Sequence, residues 1–345
     1  MVDEKWMEEC LRLALKGKGW TSPNPMVGAV IVKDGELIAK GYHKRFGEDH
    51  AERIALKRAG RRAEGATLYV NLEPCVHYGH TPPCVDFIIE KGIKRVVIAT
   101  KDPNPIVNGR GIRRLRAKGI EVKTGVLKRE AILLNEVYFK YIRRRIPFVT
   151  LKLGCSLDGK ISSPYKRWIT SKESRVYAHK LRSYSDAILV GIETIIKDNP
   201  RLTTRLWKGK NPVRVILDSH LRIDKDARVL KEKGKTIIFS SKGGEIKGAE
   251  VIKIREKDGL LWRDILKELG KREIASLLIE GGARIASSAL NAGIVDKILL
   301  FYAPEFLGEG LSFTQNLLKP IRLKSYRLEK IGKDILLEGY VYRTD

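Results

Sequence analysis

A histidine and two cysteines, His50, Cys75 and Cys84, are the side chains of this chain whose types suit a metal ion. One imidazole and two thiols fit a tetrahedral zinc ion whose fourth position is left to water. Glu52 lies two residues after the histidine. It is a poor fourth ligand, but it is well placed as a general acid/base beside a metal. The spacing therefore predicts metal-assisted hydrolysis.

A structural zinc site completed by His77 or His80, or simply buried core side chains, is the alternative interpretation. A structural site would not need Glu52 beside a ligand, and its cysteines are usually closer together. His-x-Glu followed by Pro-Cys-x-x-Cys is a signature of zinc deaminases, although here eight residues separate the two cysteines. Two prolines precede the apolar run Val85–Ile89, which predicts a helix beginning near Cys84, where the helix dipole favours a thiolate.

The elements that must position these residues alternate between helix and strand, which indicates an α/β layer around a central sheet. Asp34-Gly35 between two apolar runs predicts a hairpin, with Asn24 just before it and His43 just after it. The predicted elements are helices at Asp3–Lys18, His50–Ala59, Arg113–Lys118 and Leu127–Tyr141, and strands at Val27–Val32, Glu36–Gly41, Thr67–Val70, Arg95–Ala99 and Ile120–Thr124.

The second half again reads as α/β, and Arg143–Pro147 is the predicted boundary, which gives domains of residues 1–146 and 147–345. Gly281-Gly282 follows a strand and opens a predicted helix to Leu290. Such a turn leaves N–H groups free for a phosphate, although two glycines taken alone favour a plain tight turn. It is not the fingerprint of a Rossmann domain. The other predicted elements are a helix ending at Arg182 and strands at Phe148–Leu153, Ala187–Gly191, Val213–Leu217, Thr236–Ser240, Ser276–Ile279 and Lys297–Tyr302.

The composition, with 43% hydrophobic and 31% charged residues in 345, fits a globular enzyme of two ordinary domains. No apolar run approaches the length of a membrane span, and residues 1–19 are too charged for a signal peptide. We therefore expect a cytoplasmic protein without membrane contact. With two cysteines assigned to metal, Cys10 and Cys155 are expected to be free buried thiols.

The formal net charge of +26 is spread through both halves and is not gathered into a tail or stripe. Such a charge could indicate binding to nucleic acid, a phosphorylated substrate or a solvated basic surface. We favour the solvated surface and expect no nucleic-acid partner.

Several of these motifs together resemble a known family, the bifunctional deaminase/reductases of riboflavin biosynthesis. They are Asn24-Pro25-Met26-Val27-Gly28, Gly41-Tyr42-His43, His50-Ala51-Glu52 and the extended Pro74–Cys84 segment with its Thr81-Pro82-Pro83-Cys84 ending. The order of motifs in the second half extends the resemblance over nearly the whole chain. The resemblance implies a cytidine-deaminase-like three-layer α/β/α domain followed by a dihydrofolate-reductase-like α/β domain, with zinc and NADPH as cofactors.

For the first half, the resemblance implies zinc held by His50, Cys75 and Cys84, with Glu52 moving protons during hydrolytic deamination. It also implies that the deaminase substrate is held by Asn24, His43, His77 and His80. The family usually has Lys or Arg where this chain has His80. Histidine is only partly charged near neutral pH, so the affinity for the substrate is expected to differ here.

For the second half, the resemblance implies an NADPH site around the Gly281-Gly282 turn. Its cofactor residues are Gly154, Trp168, Thr170, Thr194, Asp198, Ser219, Gly282, Ala283, Arg284, Ile285, Ala286, Ser287 and Ser288. The residues around the reductase substrate are Lys166, Arg182, Leu202, Arg205 and Glu280. The two arginines make physical sense, because a substrate phosphate favours bidentate guanidinium contacts. Asp198 and Glu280 are candidate acids for the reduction.

The expected activity is therefore deamination of a phosphorylated ribosylaminopyrimidine, followed by NADPH-dependent reduction of its ribosyl group to ribityl. We also expect a homo-oligomer. One rival interpretation is a nucleic-acid or nucleoside deaminase with a basic accessory domain, and another is a zinc-stabilised RNA-binding or scaffold protein without catalysis. The long loop that ends in Thr81-Pro82-Pro83-Cys84 and the lack of an evident aromatic-rich surface for stacking bases disfavour the first rival, and the second stays open.

Overall fold

A computed structural model of the chain describes residues 2–79, 81–255 and 261–341. The chain folds into two compact units, Met1–Arg144 and Arg145–Asp345. This division lies within the predicted boundary segment Arg143–Pro147, and the second unit begins two residues before its predicted start at residue 147.

The first unit has a five-stranded sheet in the order β2-β1-β3-β4-β5. Its first two strands form the antiparallel hairpin predicted across Asp34-Gly35, and β3, β4 and β5 run parallel to one another. Gly35 takes a φ of +80°, which glycine adopts without strain. The strands are β1 Gly28–Lys33, β2 Glu36–Tyr42, β3 Thr67–Val70, β4 Arg95–Ile98 and β5 Glu121–Thr124.

Helices cover both faces of this sheet and bury two apolar clusters against it. Helices α1 and α5 cover one face, and α2, α3, α4 and α6 cover the other. The unit is therefore a three-layer α/β/α sandwich. The helices are α1 Val2–Ala14, α2 Ala51–Ala59, α3 Cys84–Glu90, α4 Arg110–Ala117, α5 Lys128–Leu134 and α6 Glu136–Arg144.

The second unit has a nine-stranded sheet in the order β10-β9-β8-β7-β11-β6-β12-β14-β13. Seven neighbouring strands run parallel, and the last two add an antiparallel hairpin at one edge. The strands are β6 Phe148–Ser156, β7 Ala187–Gly191, β8 Val213–Leu217, β9 Thr236–Ser240, β10 Glu250–Lys253, β11 Ser276–Ile279, β12 Lys297–Ala303, β13 Ser325–Ile331 and β14 Asp334–Tyr340.

Helices also cover both faces of the second sheet. Helices α10 and α11 pack on one face, and α7, α8 and α9 on the other. The central strands are buried on both sides, as expected for parallel strands rich in Val, Ile and Leu. The helices are α7 Lys172–Tyr184, α8 Ile192–Asp198, α9 Arg228–Lys231, α10 Trp262–Lys271 and α11 Ala283–Asn291.

The prediction of one long helix over Leu127–Tyr141 is wrong, because the structure has two helices separated at Asn135. The side chain of Asn135 accepts a hydrogen bond from the N–H of Met26 at 2.8 Å and donates one to its carbonyl oxygen at 2.9 Å. These tertiary bonds outweigh the continuous helical pattern, and the backbone of Asn135 leaves helical geometry with a φ of −107° and a ψ of 23°.

The first predicted helix is also shorter than expected, because α1 ends at Ala14 and a single 3₁₀ turn follows to Gly17. All four cysteines are free thiols, as predicted for Cys10 and Cys155. Within the described ranges, none of the helices combines the length and the apolar character needed to cross a membrane.

Candidate active sites

The three predicted metal ligands lie together in the first unit. Nδ1 of His50 is 3.4 Å from Sγ of Cys84 and 3.6 Å from Sγ of Cys75, and the three ligand atoms all lie within 4.8 Å of one another. Tetrahedral zinc with bonds of ~2.0 Å to nitrogen and ~2.3 Å to sulfur would separate such atoms by roughly 3.5 Å. The donor set therefore fits zinc in both chemistry and spacing.

Two helix starts and one loop bring these ligands together. His50 is the residue before α2 and has an extended backbone, while Cys84 is the first residue of α3. Cys75 follows β3 in the intervening loop. Its Sγ accepts the N–H of Cys84 at 3.3 Å, and its carbonyl accepts the N–H of Val85 at 3.2 Å. These bonds turn the loop back so that both sulfurs face the histidine.

The contact between the two thiols shifts their pKa values in opposite directions. The neighbouring Cys84 and then His50 lower the pKa of Cys75 to about 4, although burial opposes the shift. The same contact with Cys75, together with burial, raises the pKa of Cys84 well above its usual value. Two adjacent thiolates repel each other unless a cation lies between them, and a bound metal favours the thiolate form of both.

Glu52 is the second residue of α2 and its side chain is buried. Burial raises its pKa, and the nearby His50 partly offsets the effect. A carboxyl group in such a place can accept and return a proton, which is the behaviour required of a general acid/base.

Asn24 and His43 meet at the edge of this site. Nδ2 of Asn24 lies 3.3 Å from Nε2 of His43, while Nδ1 of His43 lies 3.1 Å from the carbonyl oxygen of Asp49. The histidine is buried, and burial lowers its pKa. These two contacts indicate that the ring of His43 is neutral, with Nδ1 donating a hydrogen bond and Nε2 accepting one. Its ring also packs edge-on against His50, with 5.3 Å between the two centroids.

Of the other two predicted substrate residues, only His77 can be described. Its Nδ1 is buried and has no hydrogen-bond partner among the described residues, and the same is true of Oγ1 of Thr81. Polar atoms of this kind are typical of a site that binds a polar ligand. His80 lies outside the described residues.

Buried asparagines that the sequence analysis missed hold the segment that carries Asn24. Asn135 bonds both backbone groups of Met26, and Nδ2 of Asn71 donates to the same carbonyl oxygen at 3.0 Å. Oδ1 of Asn71 accepts the N–H of Gly28 at 2.8 Å. A polar residue directly after the apolar run of β3 was the available signal for Asn71. No local pattern identified Asn135.

Glu73, also missed, anchors the loop of Cys75 to the start of α4. Its carboxylate accepts backbone N–H groups of Asp102 at 3.2 Å, Gly109 at 2.8 Å and Ile112 at 3.2 Å. Gly111 must be glycine here, because a Cβ would lie 2.5 Å from the carbonyl oxygen of Pro74. A carboxylate at this helix start is electrostatically favourable.

In the second unit, a cavity of about 520 Å³ lies at the start of α11. Seven of the predicted cofactor residues line it: Thr194, Ser219, Gly282, Ala283, Arg284, Ile285 and Ser288. Glu193, His220, Arg222 and Trp262 line it too and were not predicted. Gly282 is the residue before α11, and backbone N–H groups at such a helix start suit a diphosphate. The residues therefore fit a dinucleotide.

The remaining predicted cofactor residues lie outside the wall of that cavity. Gly154 and Thr170 do lie side by side, because a Cβ on Gly154 would be 3.0 Å from Cγ2 of Thr170. Trp168 is exposed, with the guanidinium of Arg175 4.6 Å from the ring centroid. The others are Asp198, exposed at the end of α8, Ala286, buried in the core, and Ser287, which accepts the N–H of Gln315 at 2.7 Å.

Arg182 and Glu280, both predicted to surround the reductase substrate, form a bidentate ion pair. Nε and Nη2 of the arginine donate to the two carboxylate oxygens at 2.9 and 2.8 Å. Burial opposes ionisation of Glu280, but Arg182 and Lys152 outweigh it and lower its pKa to about 2. Burial lowers the pKa of Lys152, which the sequence analysis missed.

Positive charge gathers around this pair. The pKa of His179 is lowered to about 4, first by burial and then by the positive charges of Arg182 and Arg205. Burial and the neighbouring Arg182 also lower the pKa of Arg205. Of the other two predicted substrate residues, Leu202 packs in the core and Lys166 pairs with Glu305. A group of cations that repel one another suits an anionic ligand.

Comparisons with known proteins match both units. The profile of the RibD C-terminal domain matches residues 147–337, and that of the cytidine and deoxycytidylate deaminase zinc-binding region matches residues 1–100. Among curated proteins, riboflavin biosynthesis protein RibD of Aquifex aeolicus is 45% identical, covering 97% of this chain and 98% of its own length. RibD of Escherichia coli is 39% identical, covering 98% and 99%.

Solved structures of two similar proteins superpose on nearly the whole length of this chain. Acinetobacter baumannii RibD superposes with a TM-score of 0.91 at 35% identity, covering 99% of both chains. A diaminohydroxyphosphoribosylaminopyrimidine deaminase/5-amino-6-(5-phosphoribosylamino)uracil reductase from Thermotoga maritima has a TM-score of 0.90 at 41% identity, again covering 99% of both.

Replacing Asn135 tests whether it holds the segment that carries Asn24. Asn135→Ala leaves the partly buried N–H of Met26 without its acceptor, so we expect the free energy of unfolding to fall by about 1 kcal/mol or more. We also expect the Michaelis constant of the first unit's reaction to rise, because Asn24 shifts. Chemical denaturation and steady-state kinetics measure the two effects. Asn108→Ala, at an exposed position of the same unit, is the control. Two unchanged values would contradict the role.

Proposed function

The chain belongs to the RibD family of riboflavin biosynthesis, and from that membership we propose which of its residues carry each of the family's two reactions. It is a bifunctional enzyme. A zinc-dependent deaminase acts on 2,5-diamino-6-(5-phosphoribosylamino)pyrimidin-4-one, and an NADPH-dependent reductase then converts the ribosyl group to ribityl. The matched set of His50, Cys75 and Cys84 is the observation that most supports the assignment. A nucleic-acid or nucleoside deaminase is not favoured, because the RibD relatives match over the full chain.

For deamination, we assign His50, Cys75 and Cys84 as the zinc ligands and Glu52 as the proton carrier. Bound zinc supplies a Lewis acid that lowers the pKa of water towards neutrality. Glu52 accepts one proton from water as it adds to the ring carbon and delivers that proton to the ring nitrogen. It then takes the proton of the added hydroxyl group as the carbonyl forms and delivers this second proton to the departing amine, which leaves as ammonia. Its buried position keeps bulk water from competing for that proton.

The pyrimidine ring, in this assignment, lies against Asn24, His43, His77 and His80. The amide nitrogen of Asn24 faces His43, which leaves the amide oxygen directed elsewhere as an acceptor for a substrate amine. His43 fixes that orientation, since its own Nδ1 is tied to the backbone of Asp49. The unpartnered Nδ1 of His77 offers a further polar contact.

For reduction, we assign the cavity at α11 to NADPH, whose nicotinamide supplies the hydride. Glu280 stays ionised near neutral pH, since its pKa is about 2. It therefore orients Arg182 and does not act as the acid. Asp198 is exposed outside the cavity wall and is also a poor candidate. Arg182, Arg205 and Lys166 remain our candidates for contacts with the phosphorylated substrate.

Three further expectations remain proposals. The two activities divide at the predicted boundary, with residues 1–146 deaminating and 147–345 reducing. The enzyme works in the cytoplasm, where cysteines that form no disulfide stay reduced. It forms a homo-oligomer through β13, an edge strand that exposes Tyr326 and Leu328, because exposed apolar edges favour pairing with another copy.

Replacing either cysteine tests the metal site. The wild-type protein should bind about one zinc per chain, since the described residues contain one three-ligand set. Cys75→Ser and Cys84→Ser should each lower the zinc content and abolish deamination. Elemental analysis after dialysis against a chelator measures zinc. Cys10→Ser, at a buried cysteine that donates to the carbonyl of Tyr69, is the matched control and should retain zinc. Full occupancy in both site variants would refute the ligand assignment.

Replacing Glu52 separates proton transfer from metal binding. Glu52→Gln keeps the size of the side chain but removes the group that accepts a proton. We expect deamination to fall by at least ~100-fold, the usual scale for a lost general acid/base, with zinc retained. Ammonia release and zinc content are measured on the same sample. Near-normal turnover would mean that the glutamate is only structural.

Replacing Gly282 tests the cofactor site. A side chain fits there, since no heavy atom lies within 4 Å of the position of a Cβ. Gly282→Asp should weaken NADPH binding by like-charge repulsion of the diphosphate. Zinc content and deamination should stay near wild type. Gly282→Asn has the same shape without the charge and should bind NADPH more tightly than the aspartate variant. Fluorescence titration of NADPH decides, and normal affinity in the aspartate variant would exclude this turn as the diphosphate site.

A further inference from the structure

The loop after β8, residues Asp218–Ile223, borders the NADPH cavity and has a firmly fixed backbone. Asp218 is buried, and its Oδ2 accepts the N–H of Ile223 at 2.9 Å. Leu221 takes a φ of +54°, which is unusual for a residue with a branched side chain. A conformation of this kind persists only where the surroundings impose it, and such positions are concentrated at binding sites.

A second set of bonds ties the same loop to the end of β9. The carbonyl oxygen of Ser219 accepts three hydrogen bonds. Oγ of Ser240 donates at 2.9 Å, Oγ of Ser241 at 2.7 Å and the N–H of Ser241 at 3.2 Å. The loop after β8 thus presents its side chains from a rigid backbone, which keeps the entropic cost of binding a ligand there low.

This loop presents His220 and Arg222 to the cavity wall. Arg222 pairs with Glu193, which belongs to α8 and lines the same cavity. Both side chains are about half exposed, at 45% and 57%. Exposed ion pairs of this kind contribute little to stability, so a more highly charged anion can replace the glutamate as the partner of the arginine. The guanidinium of Arg222 is therefore held at the cavity wall by a weak partner.

We propose that Arg222, supported by His220, binds the 2′-phosphate of the cofactor's adenosine and so selects NADPH over NADH. The proposal rests on the function assigned to this cavity. A planar guanidinium holds a phosphate through two parallel hydrogen bonds. In dinucleotide sites generally, an acidic side chain meets the ribose 2′-hydroxyl of NAD, while an arginine accommodates the 2′-phosphate of NADP.

Another arginine lines the cavity, and its position assigns it a different task. Arg284 is the second residue of α11, two positions after Gly282, where the N–H groups face the diphosphate. Both NADPH and NADH carry that diphosphate, so Arg284 cannot distinguish them. Arg222 lies on a separate strand-end loop and contacts Glu193. With NADH bound, Arg222 stays paired with this glutamate and gains nothing, which is the physical basis of the selection.

The test compares the two arginines with two cofactors. Arg222→Met should weaken NADPH binding by about 10- to 100-fold, the scale of a lost charged hydrogen-bond pair. It should change NADH affinity by less than about threefold, as for removal of an exposed ion pair. Arg284→Met should weaken both cofactors to a similar extent. Dissociation constants from isothermal titration, without substrate, give the readout, and thermal midpoints confirm folding. Equal effects of Arg222→Met on both cofactors, or no effect on either, would overturn the proposal.

Two further variants sharpen the result. Arg222→Lys keeps the charge but loses the planar fork, so its NADPH affinity should lie between those of wild type and Arg222→Met. Glu193→Gln removes the competing anion, so NADPH should bind at least as tightly as in the wild type. Weaker NADPH binding in Glu193→Gln would count against the competition described above. Adenosine 2′,5′-bisphosphate and AMP, used as probes of the adenosine end alone, should repeat the selectivity pattern of the two cofactors.

Failure of this inference can be told apart from failure of the assigned function. If Gly282→Asp weakens both cofactors and Arg222→Met weakens neither, the cavity binds the cofactor but Arg222 does not read its phosphate. If Gly282→Asp weakens neither, the cavity itself is wrongly assigned.

Discussion

Buried side chains that bond the backbone of irregular segments are the interaction on which the first active site depends. The proposed ligands and substrate contacts lie on loops and helix starts, where backbone N–H groups have no partner in a helix or sheet. Glu73, Asn71 and Asn135 satisfy such groups from within the core. Leaving one buried N–H unbonded costs about 1–3 kcal/mol, so these side chains fix the loops as firmly as regular structure would.

In the second unit, different buried side chains also form hydrogen bonds to the backbone of loops. Asp218 holds its own loop, and Arg214, which is fully buried, bonds the carbonyl oxygens of Glu232, Lys233 and Gly234. The carboxylate satisfies N–H groups and the guanidinium satisfies carbonyl groups. In both units, therefore, the residues that shape a site need not touch the ligand, and a substitution at any of them acts through the backbone.

Much of this arrangement could be predicted from the sequence, because its signals are local. The hairpin follows from Asp34-Gly35, and the parallel strands follow from short apolar runs. The cluster of His50, Cys75 and Cys84 could be predicted because a histidine, a glutamate two residues later and two following cysteines are typical of zinc deaminases. The break at Asn135 could not be predicted, since its cause is a contact with Met26, 109 positions away in sequence. The role proposed for Arg222 could not be predicted either, because it depends on the cavity beside the residue and not on a local pattern.

Strands whose side chains are mostly exposed were the hardest elements to predict from the sequence. The hairpin β13–β14 was missed because Ser325–Ile331 forms an edge strand that is exposed along almost its whole length, so it lacks the alternation that marks a half-buried strand. Its sequence looks like a solvated segment. Edge strands of this kind complete the sheet, but the hydrophobic pattern of the sequence does not predict them.

The strand orders of the two sheets have a consequence for synthesis on the ribosome. The first sheet uses residues 28–124, and its strands β3, β4 and β5 are added in chain order. In the second sheet, β11 at Ser276–Ile279 lies between β6 and β7, which are made more than 80 residues earlier. Until β11 emerges, the apolar edges of those two strands lack a partner. All strands of the first sheet have been made by residue 124, so that sheet can pair while the chain is still growing. By contrast, β6 and β7 can pair with β11 only after residue 279 has been made.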